Sequence, residues 1–164
     1  MAEKTVDAPV PGEEVLQRLL EGMGRQRNLY VELKQEIEAL REHLERSPAE
    51  ADYDFIIARE QRKMELMGEL GLCEKKLAPL RVRWEKVRED FDWSRREPLS
   101  LLVEELGALM RDVMSLEERN EAHMKKHCDA IAQRLKSNRQ ARKASQAYGA
   151  SGQSSNPKFY DKKQ

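Results

Sequence analysis

The chain has 164 residues, of which 37% are charged, 39% hydrophobic and 5% aromatic. A compact globule contains more apolar and aromatic residues, so this composition favours an extended helical bundle with a thin core. Basic and acidic residues each number 30, so the overall charge does not indicate a nucleic-acid partner. No apolar run reaches the roughly 18 residues of a membrane span, and residues 1–11 contain acids instead of a basic, apolar signal, which predicts a cytoplasmic protein.

The charge is distributed unevenly along the chain. Residues 1–60 contain 8 basic and 14 acidic residues, and residues 61–120 contain 12 and 13. Residues 121–164 contain 10 basic and 3 acidic residues, a net charge of +7. The C-terminal end is therefore basic although the whole chain is neutral.

Apolar spacing predicts a first long helix. It can begin at Pro11, which is preorganised for the first helical turn, and Glu13 and Glu14 follow where the helix dipole favours acids. Apolar residues then recur at steps of three and four as far as Leu44, as on a helix face that packs against other helices. Residues 1–10 are expected to be a flexible N-terminus.

The second helix follows after a short connection. Ser47 can cap it, Pro48 fits its first position, and Glu50 completes a capping box. Helices joined so tightly usually return antiparallel. Pro79 removes one helical hydrogen bond, but the apolar spacing continues past it, so we expect a kink. A full break at Pro79, which would give four helices, is the alternative.

The third helix is the longest. Residues 90–94 are typical of a turn, Ser94 or Glu97 can cap the helix, and Pro98 lies near its first turn. From Pro98 to about Ser145 it spans about 45 residues, whereas the first helix has only about 35, so its end is expected to project beyond its partners. Its regular apolar positions are Leu99, Leu102, Leu106, Leu109, Val113 and Leu116.

These features predict an all-α fold, an elongated antiparallel bundle or coiled coil of three long helices with the second kinked at Pro79. Residues 11–145 are expected to form a single domain. Residues 146–164 are rich in glycine, serine and lysine and are expected to form a flexible C-terminal tail.

A weaker apolar stripe continues past the regular positions of the third helix. The stripe mixes apolar, small and polar side chains. We therefore expect the other helices of the chain to bury it only in part, and the exposed remainder to bind a partner. The candidate binding residues are Leu116, Asn120, Met124, Cys128, Ile131 and Leu135.

Sequence motifs for catalysis, cofactor binding or metal binding are weak in this chain. The sequence contains no glycine-rich phosphate loop and no serine elbow, and a thin bundle offers few clefts, so we expect neither an enzyme nor a cofactor. His123 and His127 stand one helical turn apart with Cys128 next to them, but a second ligand pair is missing, so no metal site is predicted. Cys73 and Cys128 fall on apolar positions and are expected to be buried, reduced thiols.

A basic run lies near the end of the third helix. It lacks interleaved aromatic residues for base stacking, and positive residues favour a helix C-terminus in any case. A solvated face and a complement to an acidic protein partner are the two main interpretations, and a nucleic-acid patch is a minor third. The run consists of Arg134, Lys136, Arg139, Arg142 and Lys143.

Three features of the C-terminal half form a recognisable pattern. They are the segment Glu118-Arg119-Asn120-Glu121 with Met124, the weak stripe through Ile131 and Leu135, and Ala147-Tyr148-Gly149 with Gly152 before a charged tail. This pattern resembles the FlgN-type chaperones of flagellar export. The resemblance covers roughly residues 98–160 in pattern and the whole chain in size and helical layout. The segment 93–98 and the N-terminal extension do not match the family.

The resemblance implies a cytoplasmic chaperone of the flagellar type III export apparatus, monomeric when free, whose partners are the hook-associated proteins of the hook-filament junction. In that family the last helix binds the terminal helices of the cargo, which places Asn120 and Met124 on the cargo-facing pattern. The tail engages the membrane protein of the export gate, which places Tyr148 and Gly149 in the gate-binding motif. Neither nucleic acid nor direct membrane insertion is implied.

A structural coiled coil is the rival interpretation. An export-ATPase stalk or a homo-oligomeric scaffold would close the stripe after Leu116 with another chain, and it would leave Tyr148 without a role.

Overall fold

The computed structural model describes residues 12–46 and 52–151, and the side chains as far as residue 148. Within these ranges the chain forms three long helices, α1 (Gly12–Leu44), α2 (Tyr53–Val87) and α3 (Trp93–Ser151). A 3₁₀ turn, Arg88–Asp90, connects α2 to α3, and no described residue is in a strand. The prediction of an all-α fold with three long helices is confirmed.

The N-cap of α2 is Asp52 and not Ser47. The backbone of Asp52 is extended, and its Oδ1 accepts hydrogen bonds from the amides of Asp54 (3.0 Å) and Phe55 (3.2 Å). Its own amide donates to Nε2 of the buried His43, at 2.9 Å, which ties the start of α2 to the end of α1. The predicted N-terminus, residues 1–10 with Pro11, and the capping box at residues 47–51 lie outside the described residues.

α3 begins earlier than predicted. Asp92 caps it, because its Oδ1 accepts hydrogen bonds from the amide of Arg95 (3.1 Å) and the hydroxyl of Ser94 (2.9 Å). Neither Ser94 nor Glu97 is the cap, and Pro98 lies inside the helix. The other end of α3 extends to Ser151, six residues beyond the predicted end near Ser145. The remainder of the predicted tail, residues 152–164, lies outside the described residues.

α2 continues through Pro79, so the alternative of four helices is wrong. Proline costs the helix one hydrogen bond and crowds the preceding turn. The apolar face nevertheless keeps its register on both sides, with Cys73, Leu77 and Trp84 all buried. Burial of these side chains holds the two halves of the helix on the same core.

The core consists of two apolar clusters, and all three helices contribute to each. A polar layer separates them along α1: the amide nitrogen of Gln26 donates to Glu74 (3.2 Å), and the guanidinium of Arg81 donates to Glu74 and to the Gln26 amide oxygen. The buried residues of the first cluster are Val15, Leu16, Leu19, Met23, Cys73, Leu77, Trp84, Phe91, Leu99 and Leu106. Those of the second are Leu29, Leu33, Ile37, Leu66, Leu70, Val113 and Leu116.

Cross-helix ion pairs report the direction of the helices. Arg59 pairs with Glu36 at 2.7 Å, and Gln26 contacts Glu74, so α1 and α2 are antiparallel. Lys63 of α2 pairs with Glu117 of α3 at 3.1 Å, whereas Trp84 shares a cluster with Leu99, so α2 and α3 are antiparallel as well. These pairs are only partly buried, and ion pairs near a protein surface contribute about 1 kcal/mol or less each, so the apolar clusters hold the bundle together.

The chain divides into two units, Met1–His123 and Met124–Gln164, although residues 11–145 were expected to form one domain. The first unit holds both apolar clusters. The described part of the second unit is the remainder of α3, with seven lysines and arginines and one aspartate among residues 124–148. This uneven division of core and charge separates a folded bundle from a basic helical segment.

Replacing Leu66 by alanine tests the core. This side chain is 0% exposed, so Leu66→Ala is expected to lower the free energy of unfolding by about 2–5 kcal/mol, through lost burial and the cavity it leaves. Leu72 lies on the same helix and is exposed, so Leu72→Ala is the matched control and should change the free energy by less than about 1 kcal/mol. Urea unfolding followed by circular dichroism measures both. Equal losses in the two variants would contradict the assigned core.

Candidate partner-binding surface

The candidate partner-binding residues of α3 fall into two groups. Met124 and Ile131 are half-buried, and Cys128 and Leu135 are exposed, with Leu135 53% exposed. These four residues belong to the second unit, where they leave apolar surface in contact with solvent. We call them the distal stripe.

Leu116 and Asn120 do not belong to this surface, and their assignment to partner binding is corrected. Leu116 is part of the second apolar cluster. Asn120 is only 4% exposed, and its amide nitrogen donates a 3.0 Å hydrogen bond to the carbonyl oxygen of Ile37. A side chain that is already buried and bonded within the bundle is not available to a partner. Asn120 instead fixes α3 against α1.

Helical geometry explains why the predicted stripe was split. Each step of four residues rotates a position by about 40° around the helix axis, and the stripe takes three such steps in a row, from Leu116 to Cys128. The rotation carries its later members onto a neighbouring face. The buried position in this stretch is His127, seven residues after Asn120, whereas the adjacent Cys128 is exposed. The expectation that Cys128 would be buried is therefore wrong, while Cys73 is buried as predicted.

Tyr148 and Gly149 lie in the last turns of α3. They were expected in a flexible tail. The Tyr148 ring is 80% exposed, so it presents a large surface at the end of the helix. Exposure is what a contact residue requires, and it leaves the assignment to an export gate as a prediction.

The histidines of α3 do not form a metal centre with their neighbours. Among the described residues, no group of three or more histidine, cysteine, aspartate or glutamate side chains could hold a metal ion. His127 is buried and His123 is half-buried, so the two differ in environment although they stand one turn apart.

The basic run between Arg134 and Lys143 is exposed along its whole length. These side chains flank Leu135, so a partner that covers the distal stripe would also meet positive charge. The arrangement favours a partner whose apolar residues are accompanied by acidic ones.

Sequence reasoning missed a second apolar surface, which lies within the first unit. Exposed methionines of α2 and α3 border a groove of about 460 Å³, and three glutamates of α3 also line it. We call it the methionine groove. Met110 and Met114 stand four residues apart beside the buried seam of α3, so the helical period in the sequence could have indicated it. Its lining residues are Tyr30, Leu33, Met67, Leu70, Met110, Val113, Met114, Glu117, Glu118 and Glu121.

Electrostatic contacts hold one side of this groove. Burial of the Lys63 ammonium group would lower the pKa of Lys63. Hydrogen bonds from this group to Glu60 and Glu117 outweigh the effect and raise the pKa above its ordinary value. Burial raises the pKa of the Tyr30 phenol, and the nearby Glu74 carboxylate adds to the increase. Both groups therefore keep their protons at neutral pH, Lys63 as a cation and Tyr30 as a neutral phenol.

Comparisons with known proteins give no relative of this chain. No family model, no curated protein and no solved structure matches it.

None of the helices formed by the described residues combines the length and the apolar character needed to cross a bilayer.

Proposed function

We propose that this chain is a chaperone that binds amphipathic helices of an export cargo, in the manner of a FlgN-type chaperone of the flagellar type III export apparatus. Its cargo would be the hook-associated proteins, held in the cytoplasm until they reach the export gate. The observation that carries the proposal is the distal stripe, an apolar surface left open at the end of a helix whose other half is buried in a bundle.

The contrast between the two units supports binding by the distal stripe. Within the first unit, Leu106, Val113 and Leu116 of α3 are buried among α1 and α2 side chains. Within the second unit, Leu135 is exposed and Ile131 is only half-buried. Apolar side chains at helical spacing on an open helix are the usual contact surface for a second amphipathic helix.

The weakness of the stripe suits a chaperone. Cargo helices that are unfolded before assembly expose apolar faces that would otherwise associate with one another. The distal stripe contains a cysteine, a methionine and two larger aliphatic residues, not a full leucine seam. Ordering the cargo on such a surface consumes much of the gain from burial, so the complex can be released at the export gate.

The resemblance supplies the identity of the cargo and gate. It assigns the stripe to hook-associated proteins and the Tyr148-Gly149 pair to the membrane protein of the export gate. The corrected role of Asn120 weakens one of the matches, because its side chain is used within the bundle. Met124, Ile131, Leu135 and Tyr148 remain accessible for the proposed roles.

Charge reversal of the apolar stripe tests cargo binding. The double variant Ile131→Asp with Leu135→Asp should abolish binding to a purified hook-associated protein, because it places two charges in the contact. Calorimetric titration measures the affinity. Leu101→Asp with Val103→Asp is a matched control, since these exposed residues lie on the same helix outside the stripe, and it should bind as the wild type does.

The same stripe variant must leave the bundle intact. Its melting temperature is expected to lie within about 2 °C of the wild type, because both residues lie outside the two apolar clusters and substitutions away from a core change stability little. A large drop in melting temperature would show that Ile131 and Leu135 belong to the core and would contradict the proposal. Unchanged cargo binding in a folded variant would also contradict it.

Substitution of Tyr148 separates the gate from the cargo. Tyr148→Ala should leave the cargo affinity unchanged, since the ring lies beyond the distal stripe in the sequence, and should reduce export of the hook-associated protein. A secretion assay on cells that carry the variant measures export. Loss of cargo affinity with Tyr148→Ala would contradict this division of roles.

A further inference from the structure

The methionine groove runs between two antiparallel helices of the first unit. Met67 and Leu70 of α2 face Met110 and Met114 of α3 across it, and Leu33 of α1 contributes to its lining. Met114 is 63% exposed, and Met67 and Met110 are exposed as well. Three large apolar side chains from two helices therefore share one open depression.

The shape of this surface fits a helix. Two antiparallel helices form a groove that a further helix can fill, as the fourth member of a four-helix bundle does. Along α3 the lining of the groove runs from Met110 to Glu121. These residues span about 17 Å of helix, which is long enough for a docked helix of about three turns.

The charge around the groove selects the partner. The residues that line the methionine groove include three glutamates and no lysine or arginine. Lys63 binds one of these, Glu117. Within the described part of the chain, no ion pair neutralises Glu118 or Glu121. A partner with basic residues beside its apolar face would meet these two carboxylates.

Because methionines line it, the groove can bind partner helices that differ in their apolar residues. The unbranched, polarisable side chain adapts to varied partners, and grooves rich in methionine bind helices of differing sequence. The glutamates at the same time disfavour an anionic lipid surface or a nucleic acid, because like charges repel.

We propose that the methionine groove binds an amphipathic helix of a partner protein, with aliphatic side chains on one face and lysine or arginine along the edges. This inference rests on the proposed function only for the source of the helix, which would be a second segment of the same cargo. The methionine groove would therefore bind a basic helix, whereas the distal stripe would bind an acidic one.

Methyl spectroscopy of the full chain tests the proposal. The chain contains seven methionines, so labelling their methyl groups with ¹³C gives a small set of signals that Met→Leu variants can assign. The probe is a synthetic 21-residue amphipathic peptide of leucine, alanine and lysine. A second peptide with glutamate in place of lysine is its matched control. The signals of Met67, Met110 and Met114 report on the groove, that of Met124 on the distal stripe, and that of buried Met23 on the core.

The lysine peptide is expected to shift Met67, Met110 and Met114 and to leave Met23 unchanged, and the glutamate peptide is expected to shift none of the groove signals. Shifts of Met124 alone would overturn the groove proposal while leaving the proposed function standing. Equal shifts of the groove signals by both peptides would show unselective apolar adhesion and would also overturn it. Shifts that follow protein concentration without any peptide would identify a second copy as the occupant, against the proposal.

Charge reversal at the rim gives an independent measurement. Glu118→Lys with Glu121→Lys should weaken the lysine peptide about tenfold, because the variant removes two attractive charges and introduces two repulsive ones. Glu42→Lys with Glu104→Lys makes the same charge change at exposed sites outside the groove lining and should leave the affinity within about twofold. If both double variants weakened binding equally, only the overall charge would matter, and recognition by the groove would be wrong.

Discussion

The packing of α3 against α1 is the constraint on which the rest of the molecule depends. α1 is buried along most of its length, and both apolar clusters are built around its side chains. Asn120 bonds to the Ile37 carbonyl, and α1 ends seven residues after Ile37, at Leu44. α1 has 33 residues and α3 has 59, so α1 cannot line all of α3. The distal stripe of α3 belongs to the second unit, where Cys128 and Leu135 are exposed.

The chain presents two apolar surfaces, one in each unit. The distal stripe lies on the part of α3 that forms the second unit. The methionine groove lies in the first unit, between α2 and α3. The stripe is flanked by basic residues and the groove by acidic ones. The acidic and basic charges, equal in number over the whole chain, are thus partly separated between these two regions.

Much of the fold follows from the sequence because helical periodicity is a long-range pattern that single residues do not upset. The positions of Leu33, Ile37 and Leu40 in the core, and the continuation of α2 through Pro79, could be predicted in this way. The starts of α2 and α3 could not, although α1 begins within one residue of the predicted start. Serine and aspartate are both favoured N-cap residues, so the sequence alone does not decide between Ser47 and Asp52 as the start of α2.

The candidate site was predictable only in part. The stripe was found because Ile131 and Leu135 keep a helical spacing, but Leu116 and Asn120 were included because a drift of about 40° per step is not visible in a list of apolar residues. The methionine groove could not be located from one helix alone. It arises where the faces of α2 and α3 meet, which depends on the pairing of Lys63 with Glu117 and of the residues around them.

In the free chain the distal stripe is exposed at Cys128 and Leu135, and in the proposed complex the cargo covers it. The two thiols report on this directly, since Cys128 lies in the distal stripe and Cys73 in the core, and neither forms a disulfide. Labelling with a thiol reagent should modify Cys128 at a rate close to that of the unfolded chain and Cys73 far more slowly, and a bound hook-associated protein should protect Cys128. Protection of Cys128 in the free chain at every concentration, or no protection by the cargo, would contradict the account.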